Sequence, residues 1–87
     1  MLILVIDDEP AIVELLAELL SDEGHDVKTA IDGRRALRLL HDGLRPQLIM
    51  CDTVFPGRDV LERGLRSGPE LANIPIIWMG GSGFRFG

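Results

Sequence analysis

The sequence has little of what several classes of protein require. Its 87 residues include one cysteine, so no disulfide can form within the chain, and a reducing, cytoplasmic location is expected. No apolar run approaches the ~20 residues of a membrane span, and no basic residues precede the short apolar run at the N-terminus. Nine basic side chains against 14 acidic ones give a net charge of −5, with no basic stripe to neutralise nucleic-acid phosphates. These shortages argue against a disulfide-stabilised mini-protein, a membrane protein and a nucleic-acid-binding domain.

What the sequence does contain is a regular alternation of short apolar runs and amphipathic segments. The length suits one domain, and 46% hydrophobic residues suffice for a core. Residues 1–6, 26–30, 47–51 and 74–79 are predicted strands, and a helix is predicted in each interval between them. Because every connection is a helix, the pattern predicts an α/β fold with a parallel sheet and right-handed crossovers.

The first two helices have predicted starts and inward faces. Asp8 or Glu9 is expected to cap the first helix, and Asp32 the second. The apolar stripe of the first helix is expected to face the core; it consists of Ile12, Leu16, Leu19 and Leu20. Three arginines of the second helix are expected to face solvent, namely Arg34, Arg35 and Arg38.

Three aspartates stand at the ends of fully apolar strands. Asp7 and Asp8 follow the first strand, and Asp52 follows the third. The alternating strand 26–30 suits a sheet edge, so the strand order begins 2-1-3 and strands 1 and 3 flank the topological switch point, where open α/β sheets bind ligands. Three converging carboxylates repel one another unless a cation neutralises them. Oxygen ligands suit Mg²⁺, and a carboxylate in such a site can attack a phosphoryl group.

Three stretches of the sequence resemble the receiver domain of two-component response regulators. They are Ile-Asp-Asp-Glu-Pro at residues 6–10, Pro-Gln-Leu-Ile-Met-Cys-Asp-Thr-Val-Phe-Pro-Gly at 46–57, and Ile-Pro-Ile-Ile-Trp-Met at 74–79. The resemblance implies a flavodoxin-like parallel sheet of order 2-1-3-4 over residues 1–79, followed by a Gly/Phe-rich tail at 80–87. The fourth helix, fifth strand and fifth helix of the family are expected to be missing.

The resemblance also implies a role for each aspartate in phosphorelay signalling. Asp52 would accept a phosphoryl group from a phosphohistidine of a sensor histidine kinase or phosphotransfer protein. Asp8 and Asp52 would bind Mg²⁺ directly, with the backbone carbonyl of Val54 as a third protein ligand, and Asp7 would help to position the metal through water. A chain that is itself phosphorylated in this way is not an enzyme with turnover.

The sequence departs from the family where the phosphoryl group is contacted. The family has a Thr or Ser at the end of the fourth strand, whereas this chain has Gly80, with Ser82 two residues later as a candidate contact. The family also has a Lys at the end of the fifth strand, and the only lysine here is Lys28 on the predicted edge strand. Two functions therefore stay open: a phosphoacceptor receiver, and a phosphorylation-independent interaction module on the same scaffold.

Other candidate residues have simpler interpretations. Cys51 is predicted to be a core residue, because no base is evident near it, and His25 and His41 are predicted to lie on the surface. A haloacid-dehalogenase-type phosphatase would need a second aspartate where this chain has Val54.

The end of the predicted sheet suggests self-association. Without a fifth strand, residues 75–79 would present unpaired backbone groups, and three of the four aromatic residues lie in the last ten positions: Trp78, Phe84 and Phe86. A homodimer is expected, formed by strand-four pairing, by swapped C-terminal segments or by packing of the two phenylalanines.

Overall fold

The computed structural model of the chain describes residues 1–80 and 83–86, and in the latter only the backbone. The elements in chain order are β1 (Leu2–Ile6), α1 (Pro10–Asp22), β2 (Asp26–Ala30), α2 (Gly33–His41), β3 (Leu48–Asp52), α3 (Arg58–Leu65), α4 (Pro69–Ala72), β4 (Ile76–Gly80) and β5 (Gly83–Phe86). None of the helices in these residues is long and apolar enough to cross a membrane.

Four parallel strands form the sheet in the predicted order β2-β1-β3-β4. The central strands β1 and β3 are the most apolar and the most buried, as expected when helices cover both faces of a parallel sheet. In the register, Ile6 lies beside Cys51, and Asp52 beside Met79. The carboxyl ends of β1, β3 and β4 therefore reach the same edge of the sheet.

The outer edge of β4 is covered, which corrects the expectation of an open edge. β5 pairs antiparallel with β4, so that Ile77 lies beside Phe86 and Gly80 beside Gly83. The hairpin satisfies the backbone groups that an unpaired strand would leave exposed. Pairing between two copies of β4, one of the three predicted routes to a dimer, is therefore closed by β5. The boundary between a domain at residues 1–79 and a tail at 80–87 stays a prediction. Within that tail, residues 83–86 pair with the sheet as β5.

Two apolar clusters lie on opposite faces of the sheet because successive side chains of a strand point to opposite sides. On one face, α2 and α3 cover a cluster that includes Leu4, Ile6 and Cys51. On the other face, α1 covers a smaller cluster that includes Ile3 and Val5.

The inward face of α1 differs from the predicted stripe. Val13 is buried, and Leu16 and Leu20 pack against the smaller cluster. Ile12 and Leu19 were wrongly placed in the core: Leu19 is 53% exposed. The residues of α1 that face the sheet are Val13, Leu16 and Leu20. The part of the helix that contacts the sheet is therefore narrower than its full set of apolar residues.

The turn before α2 packs directly on the loop after β3. Asp32 caps α2 as predicted, since its side chain accepts a hydrogen bond from the Arg35 N–H at 2.7 Å. The Gly33 N–H donates to the Pro56 carbonyl at 2.8 Å, and a Cβ at Gly33 would stand 2.0 Å from the Gly57 carbonyl oxygen. Glycine at position 33 thus lets the two loops touch, which fixes the loop that leaves Asp52.

Candidate functional site

The three predicted aspartates meet at the carboxyl edge of β1 and β3. One carboxylate oxygen from each of Asp7, Asp8 and Asp52 lies within 4.8 Å of the other two. β1 and β3 are adjacent in the sheet, so the residues that follow them emerge side by side at the switch point. The structure therefore brings together the side chains that the strand ends indicated.

Asp7 is the innermost of the three carboxylates. Its side chain is 6% exposed, whereas Asp52 is half-buried and Asp8 is exposed. The Asp7 N–H donates to the Ala30 carbonyl at 3.2 Å, and its Oδ1 accepts the Glu9 N–H at 2.9 Å. These two bonds hold Asp7 in the turn between β1 and α1.

Burial raises the pKa of Asp7 above its usual value of 3.8. The hydrogen bond from the Glu9 N–H acts in the opposite direction, and the negative charges of Asp52 and Asp8 raise the pKa further. The site thus concentrates negative charge, and none of the three aspartates is in a salt bridge among the residues whose side chains the structure describes. A donor set made only of carboxylate oxygens fits a hard divalent cation such as Mg²⁺.

Asp52 and the residue after it are held by hydrogen bonds from two sides. The Thr53 N–H donates to Asp52 Oδ1 at 2.7 Å and to the Met79 carbonyl at 3.0 Å. The Thr53 carbonyl accepts a hydrogen bond from the Arg58 guanidinium. The Asp52 carboxylate and the loop that follows it are therefore tied to both β4 and α3.

Arg58 is a residue of this site that the sequence interpretation missed. Its guanidinium lies 4.1 Å from the centre of the Trp78 ring, and its Nε lies 2.6 Å from Glu62 Oε1. The pairing with Glu62 follows the four-residue spacing of a helix and could have been read from the sequence. The contact with Trp78 joins residues twenty positions apart and has no such signal.

Gly80 lies directly beside the Asp52 carboxylate. Its φ is +134°, a conformation that favours glycine. A Cβ at this position would stand 3.1 Å from Asp52 Oδ1 and 3.0 Å from Thr53 Oγ1. Position 80 therefore adjoins the Asp52 carboxylate, and its glycine contributes no hydroxyl.

Three further residues were considered in the sequence analysis of this site, namely Ser82, Lys28 and Val54. Ser82 lies outside the described residues. Lys28 is exposed on β2, and β1 separates it from β3. Val54 follows Asp52 by two residues with a side chain that is 77% exposed, and the role of its carbonyl stays a prediction.

Cys51 is a buried free thiol, as predicted. Burial raises its pKa to about 12, although the charge of Arg58 partly offsets this effect. A thiol with so high a pKa is almost entirely protonated at neutral pH and is inert as a nucleophile.

The fold and the acidic site together define a receiver-type α/β signalling domain, and comparison with known proteins agrees. The family model for the response regulator receiver domain matches residues 3–83, so the chain belongs to that family.

Curated relatives include the transcriptional regulatory protein TcrA of Mycobacterium tuberculosis, 36% identical over 77 residues. Another is the DNA-binding dual master transcriptional regulator RpaA of Synechocystis, 40% identical over 80 residues. Each match covers 88% of this chain and 30% or 32% of the relative. The chain thus spans about a third of the length of the curated relatives that it matches.

Solved structures show the same fold. The chemotaxis response regulator CheY4 of Vibrio cholerae superposes with a TM-score of 0.79 at 28% identity, covering 90% of this chain and 66% of that one. The receiver domain of the hybrid histidine kinase CckA gives a TM-score of 0.78 at 28% identity, covering 91% and 74%. The predicted resemblance and the predicted parallel sheet are confirmed.

Proposed function

We propose that the chain acts in two-component phosphorelay signalling by accepting a phosphoryl group on Asp52 in the presence of Mg²⁺. The observation that carries this proposal is the convergence of Asp7, Asp8 and Asp52 within 4.8 Å of one another at the switch point of a receiver fold. The donor is a phosphohistidine of a sensor histidine kinase or phosphotransfer protein. The likeness to the receiver domain of a hybrid histidine kinase supports this class of partner.

The carboxylates and one backbone group would hold the metal. Asp8 and Asp52 would bind Mg²⁺ directly with the carbonyl of Val54, and Asp7 would help to position it through water. When bound, Mg²⁺ supplies positive charge that offsets the carboxylates and the phosphoryl oxygens. The raised pKa of Asp7 supports this assignment, because the negative charges of Asp52 and Asp8 add to the effect of burial and a divalent cation would offset them.

Asp52 is the nucleophile in the proposed step. Its Oδ1 accepts the Thr53 N–H, so the carboxylate is held in one orientation and Oδ2 is the attacking oxygen that we expect. A P–O bond to Asp52 forms as the P–N bond to the donor imidazole breaks, and the electron pair of the broken bond stays on the ring nitrogen. Since the product is the modified chain itself, the protein is not an enzyme with turnover.

We expect the chain to act in the cytoplasm, without direct binding to nucleic acid or membrane. The net charge of −5 and the single, buried cysteine are consistent with it. A second copy of this chain is the further partner that we propose.

A second candidate is a phosphorylation-independent interaction module that keeps the receiver scaffold. Gly80 favours it, because this position contributes no hydroxyl beside Asp52. The exposed position of Lys28 on β2, away from the aspartates, also favours it.

Intact-mass measurement separates the two functions. We expect incubation with acetyl phosphate and Mg²⁺ to add the mass of one phosphoryl group to the wild-type protein, and EDTA to prevent the addition. Asp52→Asn should abolish it, whereas Asp59→Asn, which changes an exposed acid on α3, should leave it intact. No mass gain from acetyl phosphate or phosphoramidate would support the interaction module instead.

A further inference from the structure

The site has a hydroxyl in an unexpected place. We propose that Thr53 Oγ1 donates a hydrogen bond to the phosphoryl group on Asp52, in the space that Gly80 leaves open. The proposal rests on the proposed function, because it names the side chain that would contact the transferred group.

The distances around position 80 carry this inference. A Cβ there would lie 3.0 Å from Thr53 Oγ1 and 3.1 Å from Asp52 Oδ1. The Thr53 hydroxyl and the acceptor carboxylate thus flank one point, and that point is where a side chain from β4 would begin. Of the three heavy atoms nearest to that point, the Thr53 oxygen is the one that can donate a hydrogen bond.

Gly80 and Thr53 are complementary in volume. A Cβ at position 80 would lie 3.0 Å from Thr53 Oγ1, so a side chain there would require the hydroxyl to shift by a few tenths of an ångström. The family's hydroxyl on the fourth strand is therefore replaced by a hydroxyl from the loop that follows the third strand.

Hydrogen bonds on both sides of Thr53 hold its backbone in place. Its N–H donates to the Met79 carbonyl as well as to Asp52, and its carbonyl accepts from Arg58. The side chain is half-buried. The backbone that carries the hydroxyl is therefore already held in position when charge arrives at the neighbouring carboxylate.

The chemistry of the neighbours makes a neutral donor useful. Asp7 and Asp8, when ionised, can only accept hydrogen bonds, while the phosphoryl group brings three strong acceptor oxygens and close to two negative charges. A hydroxyl can donate to one of those oxygens without adding to the negative charge of the site. Val54, the next residue, has an apolar side chain that cannot replace it.

The test compares two substitutions that differ in the hydroxyl. Thr53→Val keeps the branched shape and removes the oxygen, whereas Thr53→Ser keeps the oxygen. The probe is beryllofluoride, a non-covalent mimic of the phosphoryl group that has been used to activate the receiver domain of Klebsiella pneumoniae RstA. Affinity is measured by fluorine NMR in Mg²⁺, and Mg²⁺ affinity is measured separately by calorimetry.

We expect Thr53→Val to weaken beryllofluoride binding by about tenfold, as for one lost hydrogen bond to a charged acceptor, with Mg²⁺ affinity unchanged. Thr53→Ser should stay within about threefold of wild type. The matched control is Thr29→Val, since Thr29 is the only other threonine and is exposed on β2. Thr53→Ala is the second variant, in case valine disturbs the loop.

Three results would overturn the proposal. Wild-type affinity in both Thr53→Val and Thr53→Ala would remove the role of the hydroxyl and leave the proposed function standing. A loss confined to Ser82→Ala would assign the contact to Ser82. Absence of both beryllofluoride binding and phosphoryl mass gain in the wild type would refute the proposed function, and the role of Thr53 with it.

Discussion

Asp7 links the charge of the site to the stability of the fold. It is buried, and burial together with the charges of Asp52 and Asp8 raises its pKa. A group whose folded pKa is raised stabilises the fold most below its unfolded pKa, and this contribution is lost as the pH rises through the folded value. Without metal, and at a pH above the raised pKa, the ionised carboxylate of Asp7 therefore lowers the stability of the fold.

We expect Asp7→Asn to raise the free energy of unfolding at pH 7 without Mg²⁺ by about 1 kcal/mol. Asparagine can still accept the Glu9 N–H but removes the buried charge. The advantage over wild type should shrink as the pH falls through the raised pKa of Asp7 toward 3.8, where the wild-type side chain becomes neutral. Urea unfolding at several pH values measures this difference in the free energy of unfolding, and Asp22→Asn, at an exposed position, is the control. An Asp7→Asn protein that is less stable than wild type at pH 7 would contradict the prediction.

A side chain at position 80 is expected to be unfavourable for two reasons, the φ of +134° and the close approach of Asp52 and Thr53. We expect Gly80→Ala to lower the free energy of unfolding by about 1–2 kcal/mol. Gly68→Ala is the matched control, because a Cβ at Gly68 meets nothing within 4 Å and its φ of −157° suits any residue. Equal stability of the two variants in urea unfolding would show that position 80 tolerates a side chain.

At the scale of elements, α3 contacts the loop that carries Thr53 through its first residue. Arg58, the first residue of α3, contacts the Thr53 carbonyl, the Trp78 ring and Glu62. This side chain thus links the loop to α3 and to β4, in addition to the backbone hydrogen bond between Thr53 and Met79. Helix α3 therefore does more than cover the sheet, because it also contacts the loop beside Asp52.

We expect Arg58→Met to destabilise the protein by about 1–2 kcal/mol, because it loses the contact with the Trp78 ring and the charge-assisted hydrogen bonds. The emission of Trp78, the only tryptophan, should shift at the same time. Arg63→Met is the control on the same helix: its pair with Asp59 is exposed and should matter by less than about 0.5 kcal/mol. Equal effects of the two substitutions would mean that Arg58 does not fasten the loop.

The sequence predicted the elements whose signals are local. Continuous apolar runs indicated β1 and β3, alternation indicated the edge strand β2, and the strand ends predicted the meeting of Asp7, Asp8 and Asp52. Helix α4 has four residues, too few for a periodic pattern. β5 was missed because a short segment rich in glycine resembles a linker, and its strand form depends on pairing with β4.

Side-chain contacts between residues that are far apart in the chain could not be predicted from the sequence. Thr53 and Gly80 are 27 positions apart, and only the pairing of β3 with β4 brings them together. The exposed position of Leu19 depends on which part of the α1 stripe meets the sheet. These features are set by tertiary packing, which a single sequence does not encode in a local pattern.

At the scale of the whole molecule, a homodimer stays a prediction with two routes left. β5 occupies the edge of β4, which leaves exchange of C-terminal segments or packing of Phe84 and Phe86. Sedimentation velocity across micromolar concentrations should show a dimer, and changing both phenylalanines to serine should shift it to monomer. Ile12→Ser, which changes an exposed residue of α1, is the control; a monomeric wild type throughout would contradict the prediction.

The position of the phosphoryl group in the chain can be determined chemically, which distinguishes Asp52 from the other acidic residues. After incubation with acetyl phosphate and Mg²⁺, borohydride reduction converts a phosphorylated aspartate to homoserine, which peptide mass mapping then places in the chain. We expect homoserine at position 52 alone, with Asp7 and Asp8 unmodified, and none when Mg²⁺ is removed. Homoserine at another acidic position, or at none under any phosphodonor, would contradict it.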